Sequence, residues 1–335
     1  MRIEQEKLSP ETRKFTNNGL INMRAIFMGT DKFALPALQA VINSEVDLVC
    51  VITQPDRPRG RKLKTFPSPV KEVALENNLS IFQPRRVRDK DFIEDVLKAQ
   101  NPDIIVVAAF GQILPKAVLD LPPHGCINLH PSLLPKYRGA APIQRTIMNG
   151  EKETGVTVMF MGEVEDTGDI ILQDKMGIEI SDSSEVLFQR LADMSARLIR
   201  KTLELAQAGP LPRRQQDHSK ASFAPKLKKE DGRIDWEKGA LEIHNLIRGT
   251  IPWPGAYTTF GDAMNLKIWE SRPLESSHAN MRPGTIADIL PDEGLTIATG
   301  DRDLLITTIQ PANKSRMKIR DFVNGYRIKS GDIFS

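Results

Sequence analysis

Asn128 and His130 stand two residues apart in the segment CINLHPSLLPKYRGAAPIQ, residues 126–144. In extended backbone that spacing projects both side chains from one face, so they converge on a single ligand. A carboxamide donates a hydrogen bond to a developing oxyanion, and an imidazole moves protons near neutral pH. The third group such chemistry needs is a carboxylate that sets the imidazole tautomer and stabilises its charged form. The segment EVEDTGDI, residues 163–170, offers Asp166 in an evident loop ahead of Thr167 and Gly168. These three residues together suit acyl transfer to an amine. Taken singly they leave plainer readings open: an Asn-x-His pair is common on strands, and an aspartate before a glycine is a frequent turn or cap residue. Tyr137 and Arg138 equally fit a surface loop, and Trp236, Trp253 and Trp269 fit packing roles.

Groups of this kind act when held at the carboxyl ends of buried strands, where open α/β sheets bind ligands. The chain supplies such strands from Arg24 to Gly209, alternating strand-like and helix-like segments. Strands are expected at Arg24 to Gly29, Val46 to Thr53, Ile81 to Gln83, Cys126 to His130 and Val156 to Met161. Asp103 to Phe110 is a near-continuous apolar run, the mark of a central strand buried on both faces. Helices are expected at Phe33 to Ile42, at Asp89 to Ala99 and near Ala141 to Met148. Ser68 is placed to cap one that has Pro69 at its first position. After Ser184, Leu187, Leu191, Met194 and Leu198 share a helical face. The pattern predicts an α/β fold, a Rossmann-like doubly wound, mostly parallel sheet. MGTDKFA near Gly29 lacks the GxGxxG fingerprint, so no dinucleotide site is expected there.

Beyond a basic, proline-punctuated stretch at 210–229 come short strands separated by turns, between Ala256 and Gln310, which predict a small C-terminal β-barrel. The expected organisation is a flexible extension at 1–22, a catalytic domain at 23–209, a linker at 210–229 and an OB-like barrel at 230–335. Met23 directly precedes the first strong strand, so an alternative start there stays open. The chain has 335 residues, 40% hydrophobic and 27% charged, in the range of soluble globular proteins. Its apolar runs are strand length, too short for a membrane helix of ~20 residues. Charged residues at the N-terminus argue against a secretory signal, so a cytoplasmic location is expected. Cys50 and Cys126 suit buried free thiols, and no cysteine–histidine cluster suggests a metal.

SLLPKYRGAAPIQ at 132–144 resembles the folate-site signature of the methionyl-tRNA formyltransferase family, within the folate-dependent formyltransferases. TQPDRPRGRKLK at 53–64, VEDTGDI at 164–170 and PANKSRM at 311–317 resemble further family motifs, in the family's order. The resemblance covers essentially everything from Met23 onward. It departs at Asp31, Lys32 and Phe33, where the family usually reads Pro-Asp-Phe, and in the loop between Gly60 and Lys64, one residue shorter than in familiar members.

The resemblance implies that Asn128, His130 and Asp166 are catalytic. It implies 10-formyltetrahydrofolate as cosubstrate, tetrahydrofolate as product, and no metal. It places the folate near Phe110, Gly111 and Ile113, and near Ser132, Leu133, Leu134, Pro135, Tyr137, Arg138 and Gly139. The acceptor it implies is initiator methionyl-tRNA. Arg57, Arg59, Arg61, Lys62 and Lys64 would meet the acceptor stem, and Arg61 matches the family's key arginine. Lys226, Lys228 and Lys314, with Arg213, Arg214, Lys229, Arg316, Lys318 and Arg320, would extend the positive track. A monomer is expected, with no membrane partner. The alternative is a relative acting on a nucleotide sugar or on glycinamide ribonucleotide.

Overall fold

The structure, a computed structural model, describes residues 23–59, 64–261, 264–290 and 292–335. The extension expected at 1–22 lies outside the described residues, as do Arg61 and Lys62 of the basic loop. The described residues form two compact units, one drawn from residues 23–130, 157–173 and 192–216, the other from residues 131–156, 174–191 and 217–335.

The first unit is built on β1 (Arg24–Gly29), β2 (Asp47–Ile52), a hairpin of β3 (Arg57–Arg59) and β4 (Lys64–Phe66), β5 (Ile81–Phe82), β6 (Ile104–Ala108) and β7 (Cys126–His130). With β8 (Glu153–Phe160) and β9 (Ile170–Gly177), the main sheet has the order β5-β2-β1-β6-β7-β8-β9. The first five strands are parallel neighbours, and β8 runs antiparallel to β7. The expected mostly parallel, doubly wound sheet is therefore present. All five residues of β6 are buried, as its apolar run requires. Ile26, Met28, Cys50, Ile52, Ile105, Val107 and Cys126 form one core cluster. Residues two apart on a strand share a face, so Asn128 and His130 continue the face of Cys126. Burial pushes both cysteine thiols up to about 12, so they stay protonated and inert.

The helices are α1 (Leu35–Ile42), α2 (Pro69–Glu76), α3 (Lys116–Leu119), α4 (Pro142–Met148) and α5 (Ser184–Ala208). Ser68 caps α2 by accepting from the Lys71 amide at 3.1 Å, as its position predicts. Leu187, Leu191, Met194 and Leu198 of α5 are all buried. The expected helix at 89–99 is a π-helical turn over Phe92–Leu97.

The second unit holds α4, α6 (Ala240–Gly249), α7 (Ile319–Tyr326) and an antiparallel sheet. Its strands are β10 (Ala256–Phe260), β11 (Met264–Pro273), β12 (Ile286–Leu290), β13 (Gly294–Ala298), β14 (Asp303–Pro311) and the short β15 (Met317–Lys318). The order is β10-β11-β14-β13-β12, with β15 on β14. Phe334 bridges Phe260 of β10 and Ile333 bridges Thr285 ahead of β12, so the last residues join the two sheet edges and close the barrel. Trp236, Ile268, Ile297, Ile306 and Phe334 fill its interior.

Trp236 and Trp269 are buried, as expected, whereas Trp253 is 54% exposed. It lies in a proline-flanked turn between α6 and β10. Among the described residues no helix is long and apolar enough to cross a membrane, and no group of three or more metal-ligating side chains occurs.

Candidate active site

Asn128 and His130 occupy the last turn of the pleat of β7, opposite Met159 and Thr157 of β8. Apolar neighbours surround the strand, so burial of His130 at 4% exposure demands a polar partner. Asp166 supplies one: its Oδ1 lies 3.5 Å from His130 Nδ1, and it is itself 7% exposed. Asn128 is half-buried on the same face. Two segments 36 positions apart in sequence thus meet as the residue types suggest. The arrangement leaves Nε2 as the imidazole nitrogen not facing Asp166.

The Asp166 loop is held tightly. Asp166 has φ 55°, in the left-handed region that an aspartate tolerates better than most residues. Thr167 Oγ1 closes the turn onto the Val164 carbonyl at 2.9 Å. At Gly168 a Cβ would sit 1.9 Å from the Phe160 carbonyl oxygen, so only glycine fits. Gln216 Nε2 donates to the carbonyls of Asp166 and Gly168 at 3.0 and 2.8 Å.

The loop following β6 presents its backbone. Phe110 turns its ring into the core and is 2% exposed, while Ile113 is 79% exposed. Gly111 has φ 81°. Gln54 Nε2 donates to the carbonyls of Phe110 and Gly111 at 3.2 and 3.1 Å. Thr30 Oγ1 donates to the same Phe110 oxygen at 3.0 Å and accepts from the Gln54 amide at 3.3 Å. Arg57 Nη2 in turn donates to Gln54 Oε1 at 2.8 Å. Thr30 and Gln54 carry this loop, although sequence reasoning assigned neither a role. Their signals were their place just after β1 and β2, at the ligand end of the sheet, and for Gln54 its position inside the motif at 53–64.

In the second unit, the signature segment is no surface loop. Ser132, Leu134, Tyr137 and Arg138 are buried. Ser132 Oγ donates to the Lys136 carbonyl at 2.7 Å, closing the turn. Tyr137 has φ 61° and donates its hydroxyl to Glu151 Oε1 at 2.9 Å. Burial first, and then Glu151, push this phenol up to about 12, against the opposing hydrogen bond from Asn149. Arg138 pairs through its backbone with Ser222 and Ala224, at 2.9 and 2.7 Å. Its Nη2 meets His218 Nδ1 at 2.9 Å. Gly139 has φ 112°, and a Cβ there would press to 3.0 Å from the Ala224 carbonyl oxygen.

The basic residues divide. Arg57, Lys226, Lys228 and Lys314 are exposed, and the β3–β4 hairpin sets Arg57 opposite Phe66 and Arg59 opposite Lys64. Arg213 instead lies 3.5 Å from Asp169 and stacks over the Phe160 ring at 3.6 Å. Arg214 pairs with Ile170 through two backbone hydrogen bonds. Residues 213–216 are therefore packed structure within the first unit rather than free linker. Arg316 stacks over the Trp269 ring at 3.4 Å.

The profile of the formyl transferase family matches residues 23–203, and that of the formyl transferase C-terminal domain matches residues 226–327. A methionyl-tRNA formyltransferase from Clostridioides difficile strain 630 is 47% identical over 309 residues, spanning 92% of this chain and 99% of that protein. One from Bacillus subtilis strain 168 is 45% identical over 311 residues, spanning 92% and 97%. Among solved structures, a sugar 3N-formyl transferase with dTDP and 5-N-formyl-THF has TM-score 0.64 at 20% identity, covering 88% of this chain and 99% of that one. HypX from Aquifex aeolicus with tetrahydrofolic acid has TM-score 0.61 at 16% identity, covering 94% and 51%.

Proposed function

Because this chain belongs to the formyl transferase family, we propose that it moves the formyl group of 10-formyltetrahydrofolate onto the free amine of initiator methionyl-tRNA, yielding N-formylmethionyl-tRNA. The observation that carries the chemistry is the buried His130–Asp166 pair beside Asn128. The acceptor follows from relatives named for it that are 45–47% identical along nearly their whole length.

Asp166 sets the imidazole of His130 and stabilises its charged form, while His130 assists removal of a proton from the acceptor amine and delivery of one to N10 of the folate as the C–N bond breaks. Asn128 donates to the oxyanion of the tetrahedral species, a role whose loss costs about 10²–10³ in turnover. The backbone of Phe110 and Gly111, held by Gln54 and Thr30, forms part of the folate wall. In segment 132–139, Ser132, Tyr137 and Arg138 are engaged within the protein, so they act by giving the signature its shape.

Arg57, Arg59, Arg61, Lys62 and Lys64 meet phosphates of the acceptor stem, and Lys226, Lys228 and Lys314 extend the track; such contacts set register and carry salt dependence. Residues 23–209 form the catalytic part and residues 230–335 the RNA platform. The enzyme works in the cytoplasm as a monomer, which sedimentation at twice the chain mass of 37.5 kDa would overturn.

The test is formyl transfer from 10-formyltetrahydrofolate to charged methionyl-tRNA, with His130→Ala and Arg61→Ala alongside. Turnover by the parent, its loss in His130→Ala and weaker tRNA use in Arg61→Ala support the reading. An unformylated methionyl-tRNA beside a formylated amino-sugar nucleotide would keep the chemistry and overturn the acceptor.

A further inference from the structure

The loop that bears Asp166 is fixed in part by the segment that lies beside it. Residues 213–216 run along it: Ile170 and Arg214 exchange backbone hydrogen bonds at 2.8 and 3.0 Å, and Arg213 reaches Asp169. Where this pairing ends, Gln216 takes over with its side chain. It is buried at 6% exposure, and Nε2 donates to the carbonyls of Asp166 and Gly168, on either side of Thr167. A primary amide is the neutral side chain with two N–H donors on one nitrogen, which two converging carbonyls require.

We propose that Gln216 is a positioning residue for formyl transfer: by pinning the carbonyls of Asp166 and Gly168 it holds the Asp166 carboxylate against His130. This rests on the reading of Asp166 as the group that orients His130. The left-handed backbone at Asp166 makes the restraint necessary, since a released loop relaxes toward commoner conformations and carries the carboxylate with it. A misplacement of about 1 Å is enough to cost about 10²-fold in rate. Gln216 touches neither substrate in this role, so its loss lowers kcat and leaves both KM values in place.

The experiment compares Gln216→Met, Gln216→Glu, Asp166→Asn and the Asp166→Asn/Gln216→Met pair in formyl transfer to methionyl-tRNA, with thermal unfolding of each. Gln216→Met is expected to lower kcat about 10- to 100-fold, with both KM values within about twofold and the protein folded at the assay temperature. In the Asp166→Asn background, single-turnover rates are expected to show no further loss from Gln216→Met, because the two changes disable one device. Gln216→Glu keeps the shape but presents a carboxylate to two carbonyls. Its kcat relative to the parent is expected to rise as the pH falls, because the protonated acid regains one donor. An unchanged kcat in Gln216→Met, or the same fractional loss with and without Asp166, overturns the proposal while leaving Asp166 in its role. Full turnover in Asp166→Asn overturns the underlying reading itself.

Discussion

Two buried histidines show how differently this chain uses one residue type. His130, at the end of a parallel strand, faces a carboxylate 3.5 Å away. His244, on α6 in the second unit, has both nitrogens committed to neutral groups, the Ser271 hydroxyl at 3.0 Å and the Ile180 carbonyl at 2.9 Å. Burial lowers the pKa of His244 against the opposing hydrogen bonds to Ile180 and Ser271, and Arg248 adds to the lowering. Arg248 sits beside it, donating to the carbonyls of Glu179 and Asp182 at 3.1 and 2.7 Å. The first histidine meets a carboxylate at the ligand end of the sheet, and the second joins segments of the fold.

The comparison breaks most visibly on removal of the imidazoles. His130→Ala is expected to lower turnover of the folded fraction by about 10²–10⁴. His244→Ala is expected to cost about 1–3 kcal/mol of stability through stranded polar partners, with kcat of the folded fraction retained. Parallel turnover and melting measurements check both, and equal turnover losses would erase the distinction.

Gly168→Ala sharpens the catalytic side, because its Cβ would overlap the Phe160 carbonyl oxygen. The loop must move, and kcat is expected to fall about 10²-fold, measured at saturating substrates.

The structural histidine has its own signature in pH. Its folded-state pKa lies below the ordinary 6.5, so the unfolded chain takes up the proton first. The stability it contributes is present above pH 6.5 and is lost as the pH falls from there through the lowered folded value. Urea titrations across that window are expected to show this slope in the parent and a reduced one in His244→Gln.

The smallest expected effect is at Arg57, exposed beside Gln54. Arg57→Ala should weaken methionyl-tRNA use a few-fold and reduce the magnitude of the log–log salt slope by about 1. An unchanged slope would remove it from the phosphate contacts.

Several parts of the fold were missed for identifiable reasons. α6 buries the polar His244, Asn245 and Arg248 beside Ala240, Ile243 and Ile247, so its short apolar stripe is broken up by polar residues on the same inward face. β9 ends in charged, exposed residues and matches a strand pattern only in its first half. The barrel's closure depends on single bridges at Ile333 and Phe334, too short to register as a strand.

Local sequence alone determined the parallel sheet, the cap at Ser68, the buried face of α5 and the pairing of Asn128 with His130 on one face, because each follows from periodicity or spacing within a few residues. The tertiary structure decided what spans long separations: that Asp166 meets His130, that Phe110 turns inward and offers its backbone, that Tyr137 and Arg138 are buried, and that Gln216 grips the Asp166 loop. Those outcomes turn on which carbonyls and carboxylates are left buried and unpaired once the strands assemble, and no local pattern records that count.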